Sequence, residues 1–240
     1  MNKTLCTTVV AAIAGSATLA TAQAAEAFRV DAINGNGTGS FVVTFEDGTW
    51  DGNVWTYELD QARDLGPGVG SIESALIVIT NNNRTGGQTV SLNFNVAAGA
   101  LNTVFDVASG NVAAALASAM GAASAGFSVT DTLGDGATLA PDGDAIYTAS
   151  YNNESSTFAQ LLTSPVSAGA FSTASAFAEF PGGGGYAPLT GAVTDISARW
   201  TFAVSAFDVA SGTSVFTVIP SPASLALLGL GGLAIRRRRR

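Results

Sequence analysis

Histidine is absent from the chain, and its single cysteine, Cys6, lies close to the start. Without imidazole there is no Ser-His-Asp triad and no His-ligated metal centre, and one thiol supports neither a zinc finger nor a disulfide framework. Charge is scarce too: Asp, Glu, Lys and Arg make up 12% of the 240 residues against 47% apolar ones, so this is no charge-rich disordered segment and is long enough for one sizeable core. Basic residues are scarcest of all away from the ends. Five of the ten form one block, Arg236 to Arg240, and between residues 25 and 222 only Arg29, Arg63, Arg84 and Arg199 stand beside all eighteen acids, a net of −14. Such a surface repels phosphate backbones and excludes a nucleic-acid partner.

Both ends read as addresses. Residues 1–24 have the zones of a secretory signal: Lys3, an apolar run from Leu5 to Leu19, and the small residues Ala22 and Ala24 in an Ala-Gln-Ala cleavage pattern. Cleavage there removes Cys6 and leaves an exported chain with no thiol. At the other end, Pro220-Ser221-Pro222 precedes the apolar stretch Ala223–Ile235 and then the five arginines. Ser221 and Pro222 suit a helix start, through a hydroxyl cap and a residue with no N–H to leave unbonded. At about 1.5 Å per residue this short helix reaches about 20 Å, less than the roughly 30 Å hydrocarbon core, with snorkelling arginines extending the span. Arg236, Arg237, Arg238, Arg239 and Arg240 act as a membrane stop on the cytoplasmic side, with everything upstream exported.

Pro-rich tripeptide, short Leu/Gly/Ala helix and Arg cluster, in that order, resemble the PEP-CTERM sorting signal of bacterial envelope and exopolysaccharide systems. The resemblance covers residues 219–240. It implies recognition of Pro220-Ser221-Pro222 by an exosortase-type processing enzyme, transient retention in the inner membrane, and delivery of the upstream domain to the cell surface or beyond. Ser221 departs from the family pattern, which carries Glu at that place. On the orientation rule alone, a plain C-terminal membrane anchor is the alternative.

Residues 25–218 carry the signature of strands. Val90, Leu92, Phe94 and Val96 alternate with polar residues, as do Ile196, Ala198, Trp200, Phe202 and Val204. Further strands are expected in Phe41–Glu46, Val54–Leu59, Ala75–Thr80, Ala145–Tyr151, Ala170–Phe180 and Ser214–Ile219, separated by Asn, Asp, Gly and Pro clusters. Val112–Ala123, rich in Ala, reads as a helix or as a strand of small residues. Many strands and no alternating helices predict an all-β fold, an antiparallel β-sandwich of jelly-roll type. The hexapeptide Phe-Asp-Val-Ala-Ser-Gly occurs at 105–110 and again at 207–212. It predicts one strand-to-turn solution used twice, apolar residues inward and Ser-Gly in the turn.

Chemistry is thinly signalled. Calcium needs several hard oxygen ligands around a sharp turn, and Asp131, Asp135, Asp142 and Asp144 form the richest acidic stretch. Leu133 and Asp142 occupy places where an EF-hand needs an oxygen ligand and a bidentate Glu, so only an irregular calcium site or two acidic turns fit. Glu46, Asp47, Asp51, Glu58 and Asp60 lie near Trp50, Trp55 and Tyr57, residue types used by glycosidases and sugar-binding modules. Alternation nevertheless turns Trp55, Tyr57 and Leu59 to one face, which favours core packing. No catalytic set and no cofactor are expected. The expected role is a structural or adhesive protein of the cell envelope or extracellular matrix, with extracellular polysaccharide as partner; a lectin-like carbohydrate-binding module is the alternative, ahead of a secreted hydrolase.

Overall fold

A computed structural model describes residues 25–82 and 86–222. They form two antiparallel sheets of nine strands each. The main path of sheet A runs β13 (Ser156–Leu161), β12 (Tyr147–Tyr151), β17 (Val193–Val204), β8 (Thr103–Ser109), β1 (Glu26–Asn34) and β2 (Gly37–Thr44). Three short strands join it, β9 (Val112–Leu116), β11 (Ala137–Pro141) and β14 (Val166–Ala168). In sheet B the path is β15 (Thr173–Phe180), β10 (Ala119–Thr130), β18 (Val209–Pro220), β7 (Gly87–Ala98), β6 (Gly70–Asn82), β4 (Val54–Leu59) and β3 (Thr49–Asp51), with β5 (Arg63–Asp64) and β16 (Ala187–Pro188) attached. The expected all-β sandwich of antiparallel sheets is what the chain forms.

The sheets meet through their inward residues. Phe94 of β7 packs edge-on against Trp200 of β17, with ring centroids 5.5 Å apart, and lies parallel to Phe202 at 6.0 Å. Tyr147 closes on Trp200 from within sheet A at 5.1 Å, and Phe158 of β13 stacks on Phe216 of β18 at 5.4 Å. Such pairs contribute about 0.5–1.5 kcal/mol beyond their buried area. The Trp200 indole N–H donates to the Ser214 hydroxyl of the opposite sheet at 3.1 Å, satisfying a donor that water cannot reach. Tyr147 is fully buried beside it; burial drives its hydroxyl pKa up, with Ser214 opposing, so this part of the core stays uncharged.

Val112–Ala123 is not helical. It contains β9, a turn, and the start of β10, and burial alternates strictly along both strands. Ala is the best intrinsic helix former, but propensity is a weak preference that a place in a sheet overrides. Small residues are needed here for another reason: a Cβ on Gly121 would lie 2.8 Å from Leu189 and 3.0 Å from Phe158.

The two hexapeptides are used differently. Phe105 and Val107 of β8 face the core and Gly110 follows the strand, as expected for a strand running into a turn. In the second copy Phe207 is exposed, with φ 62°, in the turn before β18, and Asp208, Ala210 and Gly212 face inward. Ser211-Gly212 is mid-strand, not a turn. A one-residue change of phase exchanges the two faces of a strand, so identical residues pack oppositely. Gly212 is required because a Cβ there would lie 2.4 Å from the Phe94 ring, and Gly110 because a Cβ would lie 1.9 Å from the Glu26 carbonyl oxygen. Gly212→Ala is expected to cost about 1–3 kcal/mol by overpacking. Gly110→Ala, opposed by backbone, should cost more; urea unfolding of the two variants checks the order.

Candidate functional site

The acidic stretch divides in space. Asp131 is buried at the end of β10, and its carboxylate accepts amides of Leu133 at 3.3 Å, Gly134 at 3.1 Å and Phe171 at 2.6 Å. Asp208, distant in sequence, is also buried and accepts the Thr132 amide and the Ser205 hydroxyl. Asp131, Asp135 and Asp208 bring carboxylate oxygens within 4.8 Å of one another. Sequence reasoning missed Asp208, whose only signal was its place in the repeat. With one oxygen from each the cluster supplies three of the six to eight ligands calcium takes, and both oxygens of Asp131 already accept amides of the turn. Burial raises the Asp131 pKa, but the amides of Phe171, Gly134, Gly136 and Leu133 outweigh it and the net direction is down. The stability this carboxylate confers is therefore complete above its ordinary value of 3.8 and is lost as pH falls through the lower folded value. Asp131→Ala should lower the thermal midpoint at pH 7 and flatten its decline below about pH 4; melting curves of both proteins across that range check this.

Asp142 and Asp144 go elsewhere, to the outward face of sheet A. The register there aligns side chains in rows across strands. Ser40, Asp31, Asp106 and Thr201 lie opposite one another on β2, β1, β8 and β17. Two residues along the strands, the row is Thr38, Ile33, Val104 and Ala203; in the other direction it is Val42, Arg29, Ala108, Arg199, Thr148 and Gln160. A cleft of about 660 Å³ opens over the first two rows. A second, of about 290 Å³, continues over Thr148, Thr157, Gln160 and Glu154, and Asp142, Arg199 and Thr201 line both.

Charges in this groove are arranged in pairs. Arg199 donates through Nε to Asp106 Oδ1 at 2.9 Å and through Nη2 to Oδ2, a two-point contact, with Glu154 3.7 Å away. The hydrogen bond to Asp106 pushes the Arg199 pKa up against the effect of burial, so the guanidinium is permanently charged. Arg29 pairs with Asp31 at 3.1 Å. Among the described residues Asp142 and Asp144 form no ion pair. Glu154 ends a run of three left-handed residues, Asn152, Asn153 and Glu154, with φ of 57°, 55° and 58°. That conformation is unfavourable for L residues and is held by outside ties: Asn152 donates to the Ala192 carbonyl and accepts the Thr194 amide, both at 2.8 Å, and the Asn153 amide donates to Asp195 at 2.7 Å.

The Trp cluster is mostly core. Trp55 is fully buried, its indole bonded to the Phe45 carbonyl at 3.1 Å, and Tyr57 stacks beside it. Trp55 is therefore no sugar platform, and of the tryptophans of this cluster only Trp50 is exposed. Glu46, Asp47, Asp51, Glu58 and Asp60 are exposed, with Asp47 capping its own turn through the Thr44 amide.

At the C-terminal end, Pro220 closes β18 opposite Ala119, the Ser221 amide donates to the Ser118 carbonyl at 3.0 Å, and Ser118 donates to the Ser221 hydroxyl. Pro222 is the last described residue; Ala22, Ala24, the apolar stretch 223–235 and Arg236–Arg240 lie outside the described residues. Among the described residues no helix is long and apolar enough to cross a membrane. No protein-family model matches the chain, and no curated protein matches it.

Proposed function

We propose that the chain is the precursor of an exported cell-envelope or matrix protein, with a structural or adhesive role alongside extracellular polysaccharide. The observation that carries this reading is where the sandwich ends. Val218 is the last fully buried residue of β18, Pro220 the last paired one, and Pro220-Ser221-Pro222 begins the tail at the sheet margin. A processing enzyme acting at that tripeptide leaves the described core intact. The N-terminal signal, the acidic exported part and its lack of histidine and thiol favour a binding or structural role over a hydrolytic one. The jelly-roll reading is supported by a chain that passes repeatedly between the two sheets, as from β17 to β18.

A second reading, a lectin-like carbohydrate-binding module, is favoured by the groove on sheet A rather than by the tryptophans. Delivery is tested in cells that contain an exosortase. Deleting Arg236–Arg240, or replacing Pro220 and Pro222 by Ala, should leave an unprocessed or mislocalised product. Mass spectrometry of the surface form should find its C-terminus upstream of residue 223. A surface protein that retains its five arginines would contradict the proposal.

A further inference from the structure

The groove across sheet A combines three features. Its floor has an apolar row, where Ile33 and Val104 lie opposite each other on β1 and β8. Ile33 is 52% exposed although large and aliphatic. Beside it, about 7 Å away at the strand rise, runs the acceptor and hydroxyl row of Ser40, Asp31, Asp106 and Thr201. The walls are fixed by the Arg199–Asp106 fork and by the left-handed Asn152–Glu154 loop, so the polar groups are held before any ligand arrives.

We propose that this groove binds an internal stretch of a glycan chain that carries no acidic groups, an inference that rests on the polysaccharide-associated reading above. A pyranose ring presents an apolar C–H face and a rim of hydroxyls. Ile33 and Val104 meet the first, and the carboxylates of Asp31, Asp106 and Asp142 accept hydrogen bonds from the second. Carboxylates are strong acceptors for neutral hydroxyls because the bond is charge-assisted. A uronate, sulfate or phosphate on the ligand would meet Asp142 and Asp144, which form no ion pair among the described residues, and the wider field of a domain with net charge −14. Arg199, which lines the groove, is paired with Asp106, and Arg29 beside it with Asp31, so the positive charge nearest the groove is already balanced by protein carboxylates. From β2 to β13 the face crosses six strands, about 24 Å at the usual spacing, enough for several sugar units and open at the sides, which suits a polymer rather than a chain end.

The test is affinity electrophoresis of the purified full chain in gels containing dextran, hydroxyethylcellulose, mannan or galactan, with polygalacturonate as the acidic counterpart. At least one neutral polymer should retard the protein and polygalacturonate should not. Asp142→Ala, which removes an exposed side chain, and Ser40→Trp, which fills the groove from an exposed edge-strand position, should each weaken retardation at least tenfold with an unchanged unfolding midpoint. Absence of retardation by all four neutral polymers, equal retardation by polygalacturonate, or retardation unaffected by both variants would overturn the proposal. Delivery is read separately, from the C-terminus of the surface protein: processing without glycan binding removes the ligand assignment alone, and binding by a protein whose tail is never cut removes the sorting assignment alone.

Discussion

Trp200 joins the two sheets both by packing and by a hydrogen bond. Its ring is clasped by Phe94 of the opposite sheet and Tyr147 of its own, and its N–H crosses the interior to Ser214. With no cysteine among residues 25–240, no disulfide can take over this task, and apolar burial between the sheets has to do it. The hydrogen bond to Ser214 adds direction to a force that has none. Sliding one sheet across the other would strand a buried indole donor, which costs about 1–3 kcal/mol, so the contact fixes the register between sheets as well as their separation.

Fixing the inward face also fixes the outward one, because side chains alternate along a strand. Trp200 and Phe202 face the core and so compel Arg199 and Thr201 to face out; Phe105 and Val107 do the same for Val104 and Asp106, and Val30 and Ala32 for Asp31 and Ile33. The groove is thus the reverse side of the core. Its two rows, one apolar and one hydrogen-bonding, keep their spacing because the aromatic layer beneath them cannot move. The Asn152–Glu154 loop is the exception, since its unfavourable backbone is held by hydrogen bonds to Ala192, Thr194 and Asp195 rather than by packing.

The strands were legible where hydrophobicity alternates with a period of two, as in Val90–Val96 and Ile196–Val204, since that pattern reports one buried and one wet face directly. Val112–Ala123 was ambiguous because Ala and Gly are small enough for either environment, and the reason for their size, the bulk of Leu189 and Phe158, comes from elsewhere in the chain. The hexapeptide repeat misled at its second copy, where a left-handed Phe207 reverses the phase. Candidate sites were less legible than strands. Asp131 and Asp135 are neighbours in both sequence and space, but β11 intervenes before Asp142 and carries it and Asp144 to the groove, and Asp208 reaches the first pair only through pairing of β10 with β18. Asp31, Asp106 and Arg199 have nothing in common in the sequence and meet only through the order of strands in sheet A.

The charge distribution of the sequence now has a structural counterpart. A strongly acidic sandwich completes its pairing at Pro220, and the apolar stretch and arginine block follow that point. A domain held by its own inter-sheet packing needs nothing from the tail. The most direct measurement is equilibrium urea unfolding of residues 25–222 beside residues 25–240 in the same mild detergent, followed by tryptophan fluorescence, which reports on buried Trp200 and Trp55. Self-sufficient packing predicts a single cooperative transition with the same midpoint in both. A shorter chain that is already loosened in buffer, or that unfolds at a markedly lower urea concentration, would contradict it.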